Sequence, residues 1–81
     1  MTENELSKII VNTAYQIHVQ LGSGLLESVY EEIMCFELTN LGLKVERQKA
    51  IPVLWNGLRM EIGFRADLIV EDKVIIELKS V

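Results

Sequence analysis

The chain has 81 residues, 49% of them hydrophobic and 25% charged, with a formal charge of −4 at pH 7. That length predicts a single domain spanning residues 1–81, one that buries only roughly 60–65% of its unfolded surface, and the composition excludes a disordered chain. The acidic balance argues against broad adhesion to nucleic acid or anionic lipid; one cysteine, Cys35, excludes an internal disulfide; and the lack of a leader pattern or of an apolar run near 18 residues points to the cytoplasm and away from the membrane.

Thr2 followed by Glu5 fits a capping box, so a helix is expected to start there. Leu6, Ile9, Ile10, Thr13, Ala14, Ile17 and Leu21 recur at three- and four-residue spacings and predict one buried stripe. Gly22 ends it. After "LGSG" a second helix is expected from about Leu25 to Leu41, with Leu26, Val29, Tyr30, Ile33, Met34 and Leu38 inward and Gly42 as its stop.

From Lys44 the period changes to 2. Asn56-Gly57 predicts a type I′ hairpin, which pairs Trp55 with Leu58, Val53 with Met60 and Ile51 with Ile62, and places Glu46 opposite Asp67. In the second hairpin an odd-length connection such as Glu71-Asp72-Lys73 sets Leu68 against Ile76 and Val70 against Val74. The same register puts Asp67 opposite Glu77 and Arg65 opposite Lys79, while a slip of two residues keeps the faces and changes the partners. The predicted fold is α+β: two helices packed on a three-stranded antiparallel meander.

Like charges facing each other across strands repel, and two carboxylates sharing a site do not both ionise cheaply without a counter-charge. A divalent cation resolves that conflict, and Mg²⁺ favours one or two carboxylates completed by water and phosphate oxygens. Lys79 points the same way as Glu77 and is suited to assist a water nucleophile or to neutralise a phosphoryl group. Arg59, Arg65 and Lys73 are candidate phosphate contacts. The plainer reading is the wet face of a half-covered sheet; Ile69 and Ile75, flanking the charges, and the like-sign meeting of Asp67 with Glu77 speak against it.

Asp67 followed by Glu77-Leu78-Lys79 resembles the D…(D/E)-x-K signature of the PD-(D/E)XK nucleases, with Ala66 where that motif carries a variable proline. Gly24-Leu25-Leu26-Glu27-Ser28-Val29-Tyr30 reads G-x-x-E-x-x-Y. With "VERQ" at Val45 to Gln48, these motifs in this order are similar to the bacterial GxxExxY proteins, a branch of that superfamily, from about Ile9 onward. The resemblance implies a restriction-endonuclease-like core and divalent-metal-dependent hydrolysis of DNA or RNA phosphodiesters. It implies Mg²⁺ or Mn²⁺ held by Asp67, Glu77 and Glu27 with the Leu78 carbonyl, and Lys79 as the catalytic lysine. Gln48 and Arg65 enter as supporting residues. Tyr30 either orients Glu27 or is a core aromatic with its hydroxyl at the edge.

The superfamily core continues with a helix and a strand beyond the E-x-K segment, whereas this chain stops at Val81. An open apolar strand edge is the expected result, and with it a homo-oligomer joined through that edge. The alternative to an enzyme is a weakly active or inactive module of the same fold that binds nucleic acid or protein.

Overall fold

The computed structural model of the chain describes residues 1–79. Helix α1 runs Glu3–Leu21 and α2 Glu27–Asn40, followed by strands β1 (Val45–Trp55), β2 (Leu58–Val70) and β3 (Val74–Ile76). The strands form one antiparallel sheet in the order β1-β2-β3. This is the α+β meander that the change of period announces.

The helix ends follow from local chemistry. Thr2 Oγ1 accepts from Glu5 N at 3.2 Å while Glu5 Oε1 accepts from Thr2 N at 2.9 Å, closing the capping box. At the far end of α2, Leu43 N reaches Leu38 O and Gly42 N reaches Thr39 O. Gly42 sits at φ 85°, which completes a Schellman turn with Leu38 and Leu43 both buried.

The core lies between the helices and the base of the sheet: Leu6, Ile10 and Ile17 of α1, Met34 and Leu38 of α2, then Leu43, Leu68 and Val70. Three residues expected in the stripes lie outside it. Leu26 is the extended residue before α2 and so leaves the helical face; Val29 and Leu21 are also exposed. In their place α2 buries Glu31, in line with Met34 and Leu38.

The Asn56-Gly57 turn forms with both φ values positive, and Trp55 pairs with Leu58 and Val53 with Met60. Beyond that the register shifts. Ile51 faces Phe64 rather than Ile62, because residues 61–63 of β2 stand opposite Pro52 alone. Proline has no N–H to give to a ladder, so a bulge there costs β1 no donor. The two-residue shift also places Glu46 opposite Ile69 instead of Asp67. Leu68 pairs with Ile76 and Val70 with Val74, as the three-residue loop requires. The ladder then stops at Ile76, so Asp67–Glu77 and Arg65–Lys79 do not form as ladder pairs.

Candidate functional site

Glu27 opens α2, where the helix dipole favours a carboxylate, and Tyr30 follows three residues later. The Tyr30 hydroxyl donates to Gly22 O at 3.2 Å and lies 3.5 Å from His18 Nδ1, tying α2 to the end of α1. Gly24, Glu27 and Tyr30 form one side of a cleft of about 320 Å³, and Glu77, Leu78 and Lys79 form another. Two motifs whose glutamates are 50 positions apart (Glu27 and Glu77) thus face a common space.

Asp67 bonds the backbone of one residue of this cleft wall, Leu78. Its Oδ2 accepts from Leu78 N at 2.8 Å, two residues past the end of β3. Its Oδ1 accepts from Gln48 Nε2 at 3.4 Å. Asp67 therefore reaches the E-x-K segment, but through the backbone of Leu78 and not as a ladder partner of Glu77. Arg65 is exposed and stands opposite Ala50. Arg59 is paired with Glu61 at 2.8 Å and Lys73 Nζ donates to Met1 O at 2.6 Å, so two of the candidate phosphate contacts have partners within the chain.

Behind Asp67 stands a residue that motif reading overlooks. Glu31 is 8% exposed and accepts from Arg47 Nη2 at 3.0 Å, Arg47 Nε at 3.3 Å and Gln48 Nε2 at 2.5 Å. Arg47 also pairs with Glu32 at 3.1 Å. The hydrogen bond to Glu31, then the charge of Glu32, raises the Arg47 guanidinium above its ordinary value. The signal in the sequence was an acid at position 31, in phase with Met34 and Leu38 on an otherwise apolar stripe: a buried acid must be paired.

Magnesium-type sites need hard oxygen donors, and the cleft offers the Glu27 and Glu77 carboxylates beside Leu78. A carboxylate has about four lone-pair sites, so the two hydrogen bonds at Asp67 leave it capacity for a cation. The donors fit Mg²⁺ or Mn²⁺ in kind. They are not gathered: among the described residues no three His, Cys, Asp or Glu side chains are grouped to hold an ion. Ser80 and Val81, which end the E-L-K-S-V run, lie outside the described residues. No helix among them is long and apolar enough to cross a membrane.

A family model described as the PD-(D/E)XK nuclease superfamily matches residues 4–81. No curated protein and no solved structure matches the chain.

Proposed function

We propose, from the premise that this chain belongs to the PD-(D/E)XK nuclease superfamily, that it is a single nuclease-like domain hydrolysing phosphodiesters of DNA or RNA in the cytoplasm with a divalent metal. The observation that supports this reading is the cleft shared by Glu27 and Tyr30 with Glu77, Leu78 and Lys79. Glu27, Glu77 and Asp67, with the Leu78 carbonyl, are the groups to hold Mg²⁺ or Mn²⁺. Such an ion supplies Lewis acidity toward a phosphoryl oxygen and acidifies bound water. The exposed Lys79 ammonium offsets the charge that builds on the phosphoryl group, and Arg65 contacts a neighbouring phosphate.

Cleavage of labelled single- and double-stranded DNA and RNA with Mn²⁺ tests this. The expected result is metal-dependent cleavage that falls by roughly 10²–10³-fold in Lys79→Ala, the scale of losing one group that stabilises transition-state charge. Cleavage that persists in Lys79→Ala, or its absence on all four substrates, removes the reading.

A second reading has its own support, since the described acids are not grouped around one point. In it the domain binds nucleic acid or protein without turnover and assembles through the free edge of β3, where Ile75 is 50% exposed. Retention of nucleic acid by Lys79→Ala together with oligomers in sedimentation selects this reading; a monomer at micromolar concentration rejects the assembly.

A further inference from the structure

We infer that Glu31 and Gln48 form a relay that positions the E-x-K segment, registering the helix that carries Glu27 against the strand that carries Asp67. The relay begins in α2, where Glu31 lies four residues after Glu27 and so on nearly the same helical face. It crosses to β1 through Gln48 Nε2, 2.5 Å from Glu31 Oε1, and continues to Asp67 Oδ1 at 3.4 Å. Asp67 Oδ2 then holds Leu78 N at 2.8 Å. Leu78 stands between Glu77 and Lys79, so its amide sets where both side chains leave the backbone.

Two independent features mark this as a built arrangement. Consecutive strand side chains point to opposite faces, yet Arg47 and Gln48 both bond Glu31. The departure from the pleat lies at Gln48, whose φ of 49° is in the left-handed region within β1. Non-glycine residues hold that conformation only where their surroundings impose it. The second feature is the burial of Glu31: among the described residues it is the only charged one that the fold encloses. Arg47 neutralises it, and Gln48 takes its remaining oxygen toward Asp67.

The relay is a geometric device, and its catalytic meaning rests on the nuclease reading above. Glu31 and Gln48 are positioning residues: they act on the cleft through Asp67 and Leu78.

Amide hydrogen exchange on the metal-free protein tests the relay without reference to cleavage. Gln48→Ala cuts it while leaving the Glu31–Arg47 pair intact, and Glu31→Gln removes its anchor charge. Both variants are expected to accelerate exchange at Leu78 about tenfold, the order expected for losing one supported hydrogen bond. The Leu43 amide, bonded to Leu38 O in the Schellman turn, serves as the internal reference and is expected to stay within about twofold in Gln48→Ala. Selective acceleration at Leu78 supports the relay even when no cleavage is detected, which separates its fate from that of the nuclease reading. Unchanged exchange at Leu78 in Gln48→Ala, or acceleration of Leu78 and Leu43 in step, overturns it.

Discussion

Single residues carry the most exacting geometry in this chain. Gln48 accepts a left-handed backbone, a conformation that costs an ordinary residue roughly 1–2 kcal/mol, and its side chain bridges two carboxylates. Just before β1, four residues from Gln48, Lys44 Nζ binds Asp72 Oδ2 at 2.9 Å, both side chains being exposed. The Lys44 ammonium, through that hydrogen bond, holds the Asp72 carboxyl below its ordinary value, and the same bond raises Lys44 above its own. A depressed acid contributes stability above its unfolded pKa, about 3.9 for aspartate, and loses it as pH falls through the lower folded value. A raised lysine contributes fully below about 10.4 and loses that as pH climbs through the higher folded value. Asp72→Asn is therefore expected to lower the Tm slightly at neutral pH, with the gap to wild type closing at both extremes. Paired melting curves from acid to alkaline pH check this; a gap that stays constant across the range contradicts it. Asp67, Glu77 and Lys79 were legible as residues because their types and spacing carry a motif. Glu31 belongs to no motif: its phase with Met34 and Leu38 hints at burial, but its partners Arg47 and Gln48 are set only by the packed fold.

At the scale of elements, legibility followed locality. The capping box, the Gly42 stop and the Asn56-Gly57 turn are each decided within a few residues, and each forms where the sequence places it. The second hairpin was readable near its turn because a three-residue loop pairs Leu68 with Ile76 and Val70 with Val74, and that register forms. The long β1–β2 ladder was readable only as far as its bulge. A shift of two residues keeps every side chain on its face, so alternation alone gives no sign that residues 61–63 share one partner. Gly63 is the clue in retrospect: a Cβ there would overlap Val53 Cγ2. Gly63→Ala should therefore strain this segment by about 1–3 kcal/mol, the usual scale of overpacking. Amide exchange across residues 51–64 is expected to accelerate roughly 5- to 150-fold, those energies converted at about 1.4 kcal/mol per tenfold. Val53→Ala in the Gly63→Ala background clears the overlapping methyls and should recover most of that change. A double variant no better protected than the single one shows that the glycine is not required by Val53.

The whole molecule is longer than its chain length suggests. Its radius of gyration is 14.1 Å and its extents are 46 × 30 × 17 Å, whereas a compact domain of this size has a radius of about 12 Å. The difference lies in the β1–β2 hairpin, whose outer part exposes Leu54, Trp55, Leu58 and Phe64, while the buried cluster gathers at the other end on Leu43, Leu68 and Val70. A two-stranded ribbon by itself is marginal in water, so the arm and the body should open with different free energies. The total stability expected for 81 residues is only about 4–12 kcal/mol, and small core changes are therefore measurable. Ile10, 8% exposed in the cluster, offers one: Ile10→Val removes a buried methylene at a cost of about 0.5–1.5 kcal/mol. Amides of α1 and α2 that exchange through global unfolding should then speed up roughly 2- to 12-fold, while those of residues 51–60 keep their rates because the arm opens without the core. Hydrogen exchange resolved along the chain measures both regions in one sample. Arm and helix amides moving together would mean that the hairpin is cooperatively coupled to the core and opens only with it.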